Sequence, residues 1–296
     1  MNNPSQIAKL PRRPYGREGI PISIIGFPGL ALNGMPQESA DRLVADALAR
    51  GVNYFETAPT YGDAEPKLGV ALRPYRRDVF LGCKTTKRSA VEARKELDLS
   101  LQHLGTDWLD LYQLHAITDV AKDVDAAFAR GGAMEVFLEA KKEGRVRHIG
   151  FSAHSVEAAF AALDRYEFDS FIFPVNFACC LKGNFGPQVL ARAQSQRVTL
   201  MAIKALARQS WPKGDPLRKQ YPGCWYQPLS DRAEADLGLR FTLSQPVTAA
   251  LPPADASLLR LALEIAGDFR PITESEFARL KSLAANLNPI FTAPAA

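Results

Sequence analysis

The chain has only four cysteines among 296 residues, Cys83, Cys179, Cys180 and Cys224, and no CxxC spacing. That excludes a disulfide framework and a CxxC zinc or iron–sulfur site. Each thiol sits in a largely apolar or aromatic segment, the setting of a reduced, buried cysteine. Histidine is equally scarce, with four residues and no two at helical metal-ligand spacing, so no metal is expected. Charge of one sign is lacking as well. Lysine and arginine number 36 against 32 acidic residues, and the excess of +4 is spread along the chain. No basic face for nucleic acid or a membrane surface follows from that balance. No apolar run approaches the roughly 18–20 residues that cross a bilayer, and the start MNNPSQIAKLPRR has no signal-peptide apolar stretch. Linkers rich in glycine, serine or proline are absent too. The expectation is one cytoplasmic domain over residues 1–296, with no nucleic-acid or membrane partner and its oligomeric state open.

What the sequence does contain is alternation. Short apolar runs at 22–26, 52–57, 79–84, 109–114, 146–152, 170–175, 198–204 and 247–251 are mostly β-branched or aromatic and nearly continuous in apolar character. Strands buried on both faces of a parallel sheet read this way. Helical stretches with visible punctuation lie between them. Ser89-Ala-Val-Glu92 is a capping box, Ala93, Leu97, Leu101 and Leu104 then share one face, and Gly105 supplies a left-handed stop. Gly51 and Gly144 are placed to end two other helices; Asp231 and the Thr273-to-Glu276 stretch open two more. Eight strand–helix units within 296 residues favour a single-domain (β/α)8 TIM barrel, although an open doubly wound sheet shares the periodicity. Residues 1–20 read as an N-terminal arm or β-hairpin that plugs the barrel. Residues 209–230 form a long loop after the seventh strand, and 271–296 a C-terminal helix and tail. The irregular stretch 117–132 also follows a strand.

In a barrel the chemistry gathers at the C-terminal ends of the strands. Four polar side chains lie there in succession: Glu56 ends NYFET, Tyr61 follows in APTYG, Lys84 ends VFLGCK and His115 ends LDLYQLH. A lysine or histidine closing an apolar strand is costly without partners, and these four are one another's natural partners. Each has an ordinary reading alone: a turn tyrosine, a snorkelling lysine, a hydrogen-bonded core histidine, a capping carboxylate.

The same residues carry a resemblance. FETAPTYGDAEPKLG is similar to the FDTAxxYGxxExxLG segment of the aldo-keto reductases. VFLGCK and DLYQLH resemble the family strands that end in the catalytic lysine and histidine. GRVRHIGFSAHS resembles the G-x-x-R-x-I-G-x-S-N stretch that touches the nicotinamide amide. Order and spacing agree from about residue 22 to about residue 263, and the later portion looks like a bacterial branch apart from the well-studied carbonyl reductases. The resemblance implies hydride transfer from NADP(H), the family's habitual cofactor, or from NAD(H), to a small-molecule carbonyl substrate. Tyr61 would be the proton donor. A free phenol has a pKa of about 10, and an ammonium at Lys84 would lower it. Glu56 would hold Lys84, and His115 would orient the substrate oxygen.

Several positions depart from the family pattern. Glu56 stands where the family has aspartate, and a displacement of about 1 Å in a preorganised site can cost about 10²-fold in rate. Ser152 keeps the carboxamide contact, but Ala153 cannot make its neighbour's, and His154 either substitutes or caps the next helix with Ser155. Asn176 stands at or next to the place of a glutamine. Ile203 or Lys204 occupies the place of an aromatic that stacks on the nicotinamide ring. Lys204 is thus a phosphate contact, a second active-site cation or half of an ion pair. After the last strand LPPADASLLR offers Arg260 as the sole cation for a 2′-phosphate, and Asp255 opposes it. Trp211, Trp225 and Tyr226 form either a substrate wall or loop packing. The rival to a reductase is a catalytically attenuated nucleotide-binding or interaction protein on the same barrel.

Overall fold

The computed structural model describes residues 9–293, so residues 1–8 of the expected arm and 294–296 of the expected tail lie outside it. Twelve strands are present among the described residues: β1 Arg12–Tyr15, β2 Ile20–Ser23, β3 Phe27–Pro28, β4 Tyr54–Glu56, β5 Phe80–Thr85, β6 Leu109–Ile117, β7 Val146–Ala153, β8 Ser170–Pro174, β9 Thr199–Ile203, β10 Ala207–Ser210, β11 Tyr226–Pro228 and β12 Ala249–Leu251. Eight of them form one parallel sheet in the order β3-β4-β5-β6-β7-β8-β9-β12. Its edges meet. Gly26 donates to the Ala250 carbonyl at 3.0 Å and Ala250 donates to the Ile24 carbonyl at 2.8 Å, which closes the sheet into a (β/α)8 barrel.

Around it run α1 Gln37–Ala49, α2 Ala64–Leu72, α3 Ala90–Leu104, a single turn α4 Ala126–Phe128, α5 Ala133–Lys142, α6 Val156–Arg165, α7 Phe177–Leu181, α8 Pro187–Gln196, α9 Arg232–Ser244, α10 Ala256–Gly267 and α11 Glu274–Ala285. Their apolar stripes and the outer face of the sheet make one continuous core. None of these helices is long and apolar enough to cross a membrane. The caps follow local chemistry. Asp231 accepts from Ala233 and Glu234 at the start of α9, and Thr273 and Glu276 complete a reciprocal box on α11. At α3 the Ser89 hydroxyl accepts the Glu92 N–H, while the Glu92 carboxylate binds the Ser89 hydroxyl rather than its N–H.

A second, smaller core fills the barrel itself: Tyr15 and Ile22 from the hairpin, with Tyr54, Phe80, Leu111, Ile172, Met201, Ala249 and Leu251. The β1–β2 hairpin is therefore the floor. Tyr15 bonds Ser170 at 2.9 Å, and Arg13 donates to the carbonyls of Val247 and Leu243 at 2.6 and 2.7 Å. The run 22–26, expected as the first barrel strand, divides. Ile22 and Ser23 pair antiparallel with the hairpin, and Ile25 begins the barrel bridge. An apolar run cannot say where one pairing partner yields to the next. The stretch 209–230 has its own order too, because β10 and β11 pair antiparallel and clamp the loop between them.

Candidate active site

Inward parity along neighbouring strands builds the site. On β4, β5 and β6 the residues two apart on the barrel side are Tyr54 and Glu56, then Phe80, Gly82 and Lys84, then Leu111, Gln113 and His115. The register sets Glu56 beside Gly82 and Lys84 beside Gln113. Lys84 Nζ lies 2.6 Å from Glu56 Oε1, and the two side chains are 3% and 2% exposed. A buried ion pair survives only if its other polar valences are filled. Here they are. Glu56 also accepts from Gln113 Nε2 at 2.9 Å and from the Tyr54 hydroxyl, and Lys84 donates to the Thr57 carbonyl at 3.1 Å. Burial and the Glu56 charge push the Tyr54 pKa up, which keeps its proton on the phenol as a donor. Burial is the largest single influence on the Lys84 ammonium and lowers its pKa, but the charge and hydrogen bond of Glu56, with Tyr61 and Cys83, together raise it above the ordinary value.

The extra methylene of Glu56 has a specific accommodation. A Cβ on Gly82 would stand 2.8 Å from Glu56 Oε2 and 3.2 Å from Oε1, so the missing side chain at 82 is the space the longer carboxylate occupies. Tyr54 and Gln113 then meet it from below. Neither was singled out in the sequence. The signal was present in their parity, since each lies two residues before a candidate on the same strand.

Tyr61 comes from the loop between β4 and α2. Its ring centroid is 5.2 Å from Lys84 Nζ and 5.8 Å from that of His115, edge-on at 84°. Among the described residues no hydrogen bond joins Lys84 to the Tyr61 hydroxyl. His115 stays neutral: burial, then the Lys84 charge, lowers its pKa to about 2. Its backbone is held from both sides. Ala116 takes a left-handed conformation (φ 56°) where the β6–β7 register shifts, and its N–H donates to Ser152 Oγ at 2.8 Å. Arg88 donates to the His115 carbonyl at 2.7 Å and pairs with Asp123 at 3.0 Å. Asp123 in turn accepts the N–H groups of Thr118 and Asp119, which orders the irregular 117–132 stretch. Arg88 was also missed, because its partners are distant in sequence.

These side chains open into a cavity of about 310 Å3. Nine of the twelve candidates line it: Glu56, Tyr61, Lys84, His115, Ser152, His154, Lys204, Trp225 and Tyr226. Three do not. Asn176 is fully buried and caps α7 through Cys179 N–H at 2.9 Å, with its Nδ2 left unpartnered. Arg260 faces Asp46 of α1 at 3.8 Å, out toward solvent. Trp211 donates to the Cys224 carbonyl at 2.7 Å and braces the β10–β11 loop. Lys204 leaves β9 in a left-handed conformation (φ 63°) and lies 5.4 and 5.3 Å from the Trp225 and Tyr226 ring centroids. It has no ion-pair partner among the described residues, so the ion-pair alternative falls away. His154 is neutral, its pKa drawn to about 4 by burial and by Lys204. Ser155 caps α6, so that role is not left to His154. A larger hollow of about 630 Å3 lies at the opposite, N-terminal end, around Glu18, Arg77, Asp110 and Arg147. It is open, and it holds none of the candidates.

A barrel with a phenol, an ammonium–carboxylate pair and a neutral imidazole at its C-terminal mouth is built for acid–base work on a small ligand. The comparisons specify the family. The aldo/keto reductase family model matches residues 24–221, and the chain belongs to that family. It is 30% identical over 156 residues to the uncharacterized oxidoreductase YqkF of Bacillus subtilis, covering 48% of each chain. It is 27% identical over 174 residues to L-galactose dehydrogenase of Arabidopsis thaliana, covering 54% of this chain and 53% of that one. The chain thus spans about half the length of the curated relatives it matches. The fold extends further. An aldo-keto reductase from Bacillus halodurans, in its holo form, superposes with a TM-score of 0.73 at 22% identity, over 96% of this chain and all of the other. An aldo/keto reductase from Klebsiella pneumoniae, in complex with NADP and acetate, gives 0.70 at 20%, over 97% and 99%.

Proposed function

We propose that the protein is an NAD(P)H-dependent oxidoreductase that reduces an aldehyde or ketone to an alcohol. The observation that carries this reading is the Lys84–Glu56 pair buried in the cavity wall beneath Tyr61, with neutral His115 edge-on to the phenol ring.

The wall fits a nicotinamide at one end. Ser152 Oγ accepts the Ala116 N–H, which leaves its own proton to donate to a carboxamide, and the neutral His154 stands on the same wall. A bound reduced nicotinamide supplies the hydride that reaches the carbonyl carbon. The chain supplies the rest. Tyr61 gives its proton to the carbonyl oxygen, so hydride plus proton convert C=O to CH–OH. Lys84, kept charged by Glu56, stabilises the phenolate left on Tyr61 through the field of an ammonium in a low-dielectric wall. His115, neutral, orients the substrate oxygen without adding a competing charge. The far end of a dinucleotide finds less. Asp255 already accepts the N–H groups of Ser257 and Leu258 at the start of α10, and Arg260 is half-exposed and faces Asp46 at 3.8 Å. NADP(H) remains the family's habit, and the grip on its 2′-phosphate is weak here.

One observation favours the rival reading, a catalytically attenuated nucleotide-binding protein: Lys84 directs its hydrogen bonds to Glu56 and the Thr57 carbonyl, not to the Tyr61 hydroxyl. Turnover of 4-nitrobenzaldehyde with NADPH and NADH separates the two. Reduction by the wild type that collapses in Tyr61→Phe supports the enzyme. Tight dinucleotide binding by calorimetry, with equal rates for the two proteins, would defeat it.

A further inference from the structure

The cavity has two kinds of cation. Lys84 is balanced by Glu56 at 2.6 Å. Lys204 is balanced by nothing: no carboxylate among the described residues lies within ion-pair distance. The two imidazoles on the same walls are neutral, and Glu56, already paired, is the sole carboxylate lining the space among the described residues. The described lining therefore carries a net positive charge that resides on Lys204. The lysine is aimed. A non-glycine residue in the left-handed region costs of order 1–3 kcal/mol and persists only where the surroundings impose it; Lys204 pays it at φ 63° as the chain leaves β9. Trp225 and Tyr226 flank the ammonium at 5.4 and 5.3 Å. Those rings come from β11 and the residue before it, so the hairpin places them. Trp225 is 54% exposed, a large apolar surface left at the rim of the cavity.

From this arrangement we infer that the carbonyl substrate carries a carboxylate at the end remote from the reacting carbon, and that Lys204 holds that carboxylate beside Trp225 and Tyr226. The inference rests on the reductase reading. The same lining includes the apolar side chains of Leu30, Ile172, Ile203 and Leu251, so the body of the substrate is apolar. Lys204 and His115 line the same cavity, so one small substrate can reach both. A single ammonium suits one carboxylate. A pyrophosphate or a 2′-phosphate takes several donors or a free helix N-terminus, and the nearby α10 start is closed by Asp255. Burial draws the Lys204 pKa down to about 8, a desolvation cost that a bound anion offsets.

The test pairs 4-carboxybenzaldehyde with its methyl ester, using wild type, Lys204→Met and Lys204→Asn. Asparagine tolerates the left-handed backbone, so it guards against misfolding by the methionine variant. The wild type should favour the acid by tenfold or more in kcat/KM. Both variants should erase that preference while the Kd for NADPH and NADH, read by fluorescence, stays within twofold. A preference that persists in the variants overturns the inference. So does a lost dinucleotide affinity with unchanged preference, which would assign Lys204 to a cofactor phosphate. Calorimetric titration with benzoate runs alongside, with benzamide as the neutral control. If neither aldehyde turns over but benzoate binds and both variants lose it, the reductase reading fails and the anion site stands. If benzoate does not bind the wild type, the anion site fails whatever the turnover.

Discussion

The two cations of the cavity are built in opposite ways. Lys84 sits on a barrel strand, 3% exposed, and its carboxylate partner is bound by two further side chains from adjacent strands. Lys204 sits where a strand ends, in a strained conformation, between rings delivered by a surface hairpin, with no anion of its own among the described residues. The first arrangement is complete without a ligand. The second becomes neutral only when a ligand arrives. On the proposed reading the difference separates chemistry from selectivity: the reaction is set by groups that the sheet holds rigid, and the choice of substrate by groups that a loop can change.

The sharpest way to break this comparison is to unbalance the complete side. Lys84→Met should reduce carbonyl turnover to background and destabilise the fold by about 3–5 kcal/mol, because Glu56 is left buried and uncompensated. Thermal melts and turnover check both halves. Tyr61→Phe should lose about 10²–10⁴-fold in rate yet melt within a few degrees of the wild type, since its hydroxyl has no hydrogen-bond partner among the described residues. A melting loss as large as that of Lys84→Met would show that Tyr61 belongs to the structural side.

Gly82→Ala should come next. Its Cβ would stand 2.8 Å from Glu56 Oε2, so the carboxylate must shift, at about 1–3 kcal/mol and about 10²-fold in rate. Adding Glu56→Asp to Gly82→Ala should recover part of that rate, while Glu56→Asp alone should lower it by shortening the reach to Tyr54 and Gln113. A gain from Glu56→Asp alone would mean that the glutamate attenuates the enzyme. Smaller effects involve the neutral imidazoles. His115 and His154 have folded pKa values of about 2 and 4, below the ordinary value of 6.5. The unfolded chain therefore binds more protons below about pH 6.5, and stability falls as pH drops through that range. Melting curves from pH 7 to 5 should slope less in His154→Asn. Smallest of all, the ratio of Kd values for NADH and NADPH should stay below tenfold, because Arg260 and Asp255 offer little to a 2′-phosphate.

Much of the site was legible before any coordinates. Glu56, Tyr61, Lys84 and His115 could be found because each ends or follows an apolar strand, where a polar side chain has a cost that only a function or a partner repays. The capping residues Asp231 and Thr273 were legible for a similar reason, their chemistry being confined to a few neighbouring residues. Gln113 and Tyr54 were half legible, hidden by lying inside their strands rather than at the ends. Arg88 was not, since its targets, the His115 carbonyl and Asp123, lie 27 and 35 positions away. Asn176, Arg260 and Trp211 looked like ligand contacts because the alignment of motifs placed them near strand ends. In the fold Asn176 Oδ1 caps a helix while its Nδ2 stays unpartnered, Arg260 faces a neighbouring helix and Trp211 braces a loop.

The sequence by itself determined the eight strands of the barrel and much of the helix punctuation, which rest on periodicity and local hydrogen bonding, and its motifs pointed to the family. It also determined which polar groups would need explaining. Only the tertiary structure decided how the explanation runs. The parallel pairing of β4 with β5 brings Gly82 level with Glu56, and the side chain missing from one strand becomes the room needed by the next. The folding of β10 onto β11 likewise carries two aromatic rings to Lys204, a meeting of distant residues that no local pattern encodes. The scarcity of histidine and the even charge, which at first only excluded partners, take on weight in the cavity: with both imidazoles neutral and Lys84 paired, one lysine is left to define its charge.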